Sequence, residues 1–252
     1  MEELPIAGGR HSRPRLYVLP LIESRIETPT AMTFRFSTEG TGFQFRSNQA
    51  VRVVIPGVQD PWGPGRMFSL SSSPTEEGEI GVTVKMTGSP FKEALRHLRP
   101  EEVVQVWGPL GDLLYNPARP SVFIAGGIGI TPFRGMLRYA ADREGTQPIV
   151  ALYSARTPEE FAFRSELDSI QRKHPHLETR YTVTRPEKSS VKWDGRTGRI
   201  DEGWIREALR GMDRPKAYVA GLPEMAQETL RMLRDRLGLV EDDLEYEYFM
   251  GY

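Results

Sequence analysis

Between residues 15 and 108 the apolar positions recur with a period of two. The runs 16–19, 32–36, 51–55, 67–71, 80–86 and 103–107 are short and separated by turn residues. In Thr33-Phe34-Arg35-Phe36 and Val82-Thr83-Val84-Lys85 the alternation is strict, the pattern of strands buried on one face. Six such strands joined by close turns predict a small antiparallel barrel. One helix interrupts them: Ser89 suits its N-cap, Pro90 its first turn, and Phe91, Ala94, Leu95 and Leu98 recur at the spacing of a single buried face.

After Pro120 the pattern changes to strand then helix, repeatedly. Strands near Val122, at 149–153, 179–184 and 217–220 alternate with amphipathic helices. The second of those helices opens on Thr157-Pro158-Glu159-Glu160, which reads as a capping box with proline at its first position, and continues through Phe163, Leu167 and Ile170. A later one carries Ala226, Leu230, Leu233 and Leu237 on one face and stops at Gly238. Alternation of this kind predicts a parallel sheet covered on both sides, with ligands beyond the carboxyl ends of its strands. The expected organisation is a loose arm (1–15), a barrel (16–117) and an α/β unit (118–252), divided near 116–120.

Where the first parallel strand would end stands Gly126-Gly127-Ile128-Gly129-Ile130-Thr131-Pro132. Small residues let a backbone approach a ligand, Thr131 can cap the following helix, and Pro132 fits its first position. The unpaired N–H groups and positive dipole end of such a helix favour an anion, most often a phosphate, although glycine-rich turns also exist only to turn the chain.

Composition narrows the chemistry. The chain has 252 residues, long enough for two ordinary domains, and 33 basic against 34 acidic residues, so its overall balance does not point to nucleic acid as a partner. It has no cysteine, which excludes disulfides, thiolate catalysis and any iron–sulfur cluster held by its own thiolates. Redox chemistry would need a borrowed organic cofactor. The four histidines show no ligand spacing, and no metal site is expected. No apolar run reaches the ~18 residues that span a bilayer, and residues 1–15 lack the apolar middle of a signal peptide, so a cytoplasmic protein is expected.

Arg66-Met67-Phe68-Ser69 resembles the Arg-x-Tyr/Phe-Ser/Thr flavin-binding motif of the ferredoxin–NADP reductase family. Gly126 to Pro132 is similar to that family's Gly-Gly-x-Gly-x-Thr-Pro loop, and Ala220-Gly221-Leu222-Pro223-Glu224-Met225 to its Cys-Gly-x-x-x-Met segment. The ending Glu247-Tyr248-Phe249-Met250-Gly251-Tyr252 is similar to one seen in some bacterial members. The four motifs occur in family order.

The resemblance implies a six-stranded antiparallel flavin-binding barrel followed by a Rossmann-like domain that binds a nicotinamide nucleotide. It implies FAD as cofactor, NAD(P)H as substrate, and electrons passed to a separate ferredoxin-, flavodoxin- or haem-type protein. Arg66 would grip the flavin diphosphate with its bidentate fork. Phe68 would lie against the ring, Ser69 would reach its N5, and Met67 between Arg66 and Phe68 counts among the cofactor-binding residues. Val84, Lys85 and Met86 would supply backbone contacts, and Gly88, Ser89, Pro90 and Phe91 a helix start opposite Arg66. Without the resemblance, Arg66 reads as a solvated arginine, Phe68 as a core ring and Ser69 as a strand serine. In the second unit Gly126, Gly127, Gly129, Thr131 and Pro132 would receive the dinucleotide diphosphate, and Gly221 and Met225 the nicotinamide end.

Ser69, Glu247 and Tyr252 are the expected catalytic residues, with Phe249 beside the flavin. Arg156 and Arg185 follow the second and third parallel strands, where no acidic residue stands to bind a ribose, and tilt the choice toward NADPH. Ala220 replaces the family cysteine, which supports an alternative: an electron-transfer subunit or docking module with little activity alone.

Overall fold

The computed structural model describes residues 13–111 and 115–250. Most of the expected N-terminal arm, and Tyr252 with Gly251, lie outside the described residues. Six antiparallel strands come first: β1 (Arg15–Thr28), β2 (Ala31–Ser37), β3 (Ala50–Val54), β4 (Gly65–Ser69), β5 (Glu79–Lys85) and β6 (Val103–Leu110). Their spatial order is β4-β3-β6-β1-β2-β5, and a bridge between Leu70 and Val82 joins the two edges, so the sheet curls into the predicted barrel. Alternate residues fill it. Leu19, Leu21, Phe34, Phe36, Val51, Val53, Val104 and Val106 are fully buried, and Phe91 and Leu95 of α1 (Pro90–Arg96) join them.

β1 is much longer than the expected 16–19. Its second half pairs with β2 from Leu21↔Phe36 to Thr28↔Ala31, yet residues 22–26 face solvent and carry no apolar alternation. Pairing with β2, and the Glu23–Arg35 ion pair across it, hold that stretch in place.

The second unit is the predicted parallel sheet, and its strands lie in the order β10-β9-β8-β7-β11-β12. Its strands are β7 (Ser121–Gly126), β8 (Ile149–Ala155), β9 (Leu177–Val183), β10 (Arg196–Thr197), β11 (Lys216–Gly221) and β12 (Leu244–Tyr248). Four helices cover it: α2 (Ile130–Asp142), α3 (Arg164–Lys173), α4 (Glu202–Ala208) and α5 (Pro223–Arg231). Val122 and Ile124 of β7 pack on the α4–α5 side, and Phe123 and Ala125 on the α2–α3 side. Burial on both faces is why this strand reads as an unbroken apolar run.

Two helix starts differ from expectation. The segment 127–129 is already a 3-10 turn and α2 begins at Ile130, so Thr131 is not its cap; its hydroxyl donates back to the Ile128 carbonyl. Pro132 remains within the first turn, where its missing N–H costs nothing. Thr157 makes no side-chain cap bond and precedes only a 3-10 turn, Pro158–Glu160. Phe161, Ala162 and Phe163 then turn into the core, Phe163 in the left-handed region at φ 60°, before α3 begins. Burying two aromatic rings outweighs continuing the helix.

The units meet along α2. A Cβ on Gly135 would lie 2.6 Å from the Ser72 carbonyl. Next to it, Arg134 bonds the Ser71 carbonyl at 3.2 Å and pairs with Glu76 of the barrel unit and Glu166 of α3. Thr75 also donates to Asp142.

Candidate functional site

Three of the four motifs converge on one row of the second sheet. Ala125, Ala220 and Glu247 are register partners across β7, β11 and β12, and the Ser69 hydroxyl donates to Glu247 Oε1 at 2.5 Å from the end of β4. Ser69 is buried, and burial pushes the Glu247 carboxyl above the usual range while the Ser69 bond pulls it down. A serine from the barrel thus meets a carboxylate from the last strand at the carboxyl ends of the parallel sheet.

The glycines here answer to packing as well as to conformation. A Cβ on Gly129 would lie 2.2 Å from the Ala220 carbonyl oxygen, one on Gly126 2.5 Å from Met225 Cε, and one on Gly221 3.0 Å from the same atom. Gly126, Gly129, Ala220, Gly221 and Met225 therefore form one close contact. Gly127 differs: it sits at φ 53° with nothing within 4 Å of its Cβ position. It is the open point of the loop. The helix that follows has no side-chain cap and no acidic residue in its first turn.

Phe249 donates its backbone N–H to the Gly221 carbonyl at 2.8 Å, which ties the terminal segment to the same place. Arg156 and Arg185 are neighbours, linked by the Arg185 N–H on the Arg156 carbonyl at 2.8 Å. Both are exposed at the ends of β8 and β9.

The other half of the site lies around β4 and α1. Phe68 stacks on buried Phe91 with centroids 6.1 Å apart, and Met67 faces outward, 54% exposed. Val84 is buried, Lys85 pairs with Ala31, and the Met86 N–H bonds the Thr30 carbonyl. Gly88 stands at φ 78° in open space, and Ser89 caps α1 by accepting the Lys92 N–H at 3.4 Å, with Pro90 at the helix start.

Arg66 is placed differently from an open fork. It is 8% exposed; one terminal nitrogen pairs with Asp60, and the other faces the carbonyls of Trp62, Gly63 and Gly65 at 3.2, 2.8 and 3.0 Å. Its Nε is buried without a partner.

Two residues of this half carry no sequence signal strong enough to single them out. Asp60 lies in a proline- and glycine-rich turn, and its carboxylate accepts the Trp62 and Phe91 N–H groups at 2.9 and 3.0 Å. Burial raises its pKa, but those two amides and Arg66 outweigh it and hold the group at about 2. Lys92 is only 4% exposed, and burial together with Arg66 and Lys85 brings its ammonium down to about 8. Arg66, Lys85 and Lys92 gather here around the Asp60 carboxylate. That cluster of cations, with the unpaired Arg66 Nε, fits a diphosphate on chemical grounds.

A cavity of about 370 Å³, lined by Arg119, Pro120, Gln147, Asp213 and Arg214, lies at the opposite, amino ends of the strands. Among the described residues no helix is long and apolar enough to cross a membrane.

Residues 123–231 match the family model for the oxidoreductase NAD-binding domain. Ferredoxin–NADP reductase B of Sorangium cellulosum is 28% identical over 221 residues, covering 84% of this chain and 88% of the relative. The reductase component 2 of the terephthalate 1,2-dioxygenase of Comamonas is 24% identical over 74% of this chain. The flavohemoprotein of Bacillus subtilis is 23% identical over 82% of it. This chain spans only 55% and 52% of those two proteins.

The ferredoxin–NADP⁺ reductase of Neisseria gonorrhoeae, solved with bound FAD and NADP, superposes with a TM-score of 0.76 at 18% identity, covering 94% of this chain and 99% of that one. The cytochrome P450 reductase of Amycolatopsis gives 0.78 at 20% identity, with coverage of 94% and 71%. Both share the two-unit fold.

Proposed function

This chain belongs to the ferredoxin–NADP reductase-like family of FAD-dependent NAD(P)H oxidoreductases, and on that premise we propose that it passes electrons from NAD(P)H through FAD to a separate redox protein. The observation that carries the reading is the Ser69–Glu247 hydrogen bond, which joins the end of the flavin-motif strand to the sheet row beside Gly126 and Gly129. Bound flavin supplies the ability to accept a hydride and release electrons one at a time. The polypeptide supplies position, which is the larger share of catalysis when cofactors carry the chemistry.

In this reading, residues 16–117 hold the flavin and 118–252 the nicotinamide nucleotide. Arg66 and the α1 start bind the flavin diphosphate, Phe68 lies against its ring, and Ser69 offers a hydroxyl whose orientation Glu247 fixes. Gly127 and the first amides of α2 take the dinucleotide diphosphate, and the small volumes of Ala220 and Gly221 leave room for the nicotinamide. Arg156 and Arg185 pair with a 2′-phosphate, which favours NADPH. The acceptor is a one-electron protein of ferredoxin, flavodoxin or haem type, met directly because the chain has no cysteine to hold a cluster of its own.

The test is direct. Purified protein reconstituted with FAD is expected to be yellow and to bleach anaerobically with NAD(P)H, faster with NADPH than NADH in stopped flow, and to turn over an artificial acceptor. Colourless protein that takes up neither FAD nor FMN would falsify the reading. Bleaching without steady-state turnover would point instead to an electron-transfer subunit of a larger complex.

A further inference from the structure

Asn48 brings a buried oxygen without a donor to the neighbourhood of the Ser69–Glu247 pair. It stands at φ 74°, in the left-handed region where glycine is unstrained and asparagine is tolerated. The turn around it is held by its neighbour. Gln49 accepts the Arg46 N–H at 2.8 Å and donates to the Gly111 carbonyl at 3.1 Å, so the Asn48 amide is not what fixes the backbone. Two positions on, Ala50 is the register partner of Ser69. The Asn48 Oδ1 is shut off from solvent and meets no donor.

Asn48 and Glu247 line one narrow cleft between the units, together with Phe133, Tyr218, Ala220 and Glu245. The cleft measures about 10 Å³, no more than a single water fills, so little separates the polar groups on its walls. The others there are accounted for. Glu245 pairs with Lys216 at 2.6 Å, the Tyr218 hydroxyl accepts the Asn116 N–H at 3.0 Å, and Tyr246, also on the cleft, is 39% exposed and reaches solvent. Glu247 gives one oxygen to Ser69, and its second accepts from no N–H or O–H among the described residues. Two acceptors without donors thus share one small space, and a single proton on Glu247 satisfies both. Burial favours that proton, and no neighbouring cation opposes it.

We propose that Asn48 is a positioning residue for Glu247: its amide oxygen accepts the carboxyl proton across the cleft while the Ser69 hydroxyl donates to the other oxygen, so that Glu247 is held as a neutral acid. This deepens the flavoprotein reading above, in which Ser69 is the hydroxyl that meets the flavin, because it stores a proton one hydrogen bond behind that hydroxyl. Asn48 belongs to the barrel and Glu247 to the last strand of the α/β unit, so the bond also depends on how the two units are seated.

The experiment titrates Glu247 in the full, cofactor-free chain by carbon-13 NMR of glutamate-labelled protein, with Glu247→Gln to identify its signal. Asn48→Gly keeps the backbone conformation and removes the amide, and the Glu247 midpoint is expected to fall by about one pH unit, a loss of proton affinity of about tenfold. Asn48→Asp sets a second carboxyl on the cleft, and the midpoint is expected to rise. Both replacements suit a left-handed residue, so the fold is kept. A role confined to the fold would move the melting temperature and leave the midpoints alone. Unshifted midpoints in both variants therefore overturn the proposal, as does a midpoint that rises in Asn48→Gly, since the amide would then be donating to the carboxylate. The titration uses no cofactor, so it stands apart from flavin uptake: a chain that takes up neither FAD nor FMN overturns the flavoprotein reading, and the two midpoints still decide the Asn48–Glu247 bond.

Discussion

At the start of α1 the chain gathers charged side chains, whereas at the start of α2 it offers backbone alone. Arg66, Lys92 and Lys85 surround the first place, and Asp60 already sits among them. Around the second, Gly127 lies open, no acidic residue stands in the first turn, and no side chain caps the helix. The two constructions serve different needs. Fixed charges suit a tightly held prosthetic group, and a bare helix start suits a substrate that must leave after each turnover.

The comparison breaks most severely through the glycines. Gly129→Val would place a side chain within 2.2 Å of the Ala220 carbonyl, backbone that cannot move aside. We expect it to destabilise the protein by more than about 3 kcal/mol in urea denaturation and to abolish nicotinamide-nucleotide binding. At the other helix start Gly88→Ala meets nothing, so its cost is only that of a positive φ, about 1–2 kcal/mol. Equal effects at the two positions would sink the claim that close packing dictates one loop and not the other.

Arg134→Met tests how the two places are held together. It strips Glu76 and Glu166 of their largely buried partner and loses the Ser71 carbonyl bond between the units. Breaking such a pair is expected to cost about 3 kcal/mol. Flavin affinity should survive while the single-turnover rate of flavin reduction falls, since the cradle stays intact and only alignment is lost. A variant with unchanged unfolding and unchanged rate shows that the cluster is idle.

Arg66→Met is expected to weaken FAD about 100-fold by equilibrium titration, with NADPH binding unaltered. Loss of both ligands together would mean that Arg66 supports the fold instead of the ligand.

How much of this contrast could be read from the chain depends on the range of the interaction. The barrel strands are legible because alternation is a local consequence of one-sided burial, and β7 because burial on both sides leaves no polar position in Val122 to Ala125. Residues 22–26 of β1 escape the reading, since they are held by pairing and carry no alternation. The helix starts at 131 and 157 are misplaced for a related reason. Capping signals compete with Gly129 packing on Ala220 in one case and with Phe161 and Phe163 entering the core in the other, contacts made with distant residues. Arg66 and Ser69 are visible as a motif. Asp60 is not, because its meaning comes from Phe91, 31 positions away, and a Pro/Gly turn gives no hint of it.

Glu247 sharpens the comparison through pH. Burial raises its pKa, so the folded chain holds the proton more tightly than the unfolded chain does. Stability is therefore full below the ordinary glutamate range and falls as pH rises from there through the raised value. Melting temperatures across this window should drop for the wild type and stay flatter for Glu247→Gln. A variant that keeps the wild-type slope would place the titrating group elsewhere.

Lys92 gives the opposite sign. The unfolded chain keeps the lysine proton up to ~10.4, whereas the folded chain releases it at about 8. Between those values the unfolded state binds more protons, so stability of the cofactor-free protein rises with pH, and below about 8 the full penalty is present. Lys92→Met should remove the rise. Bound FAD should flatten it too, because a diphosphate beside Arg66 and Lys85 restores the ammonium to its usual range. The bare α2 start has no counterpart to this behaviour, since it has no titrating side chain to relieve, and saturating NADPH should leave the slope of the cofactor-free chain in place. A slope that NADPH erases and FAD does not would reverse the assignment of the two places.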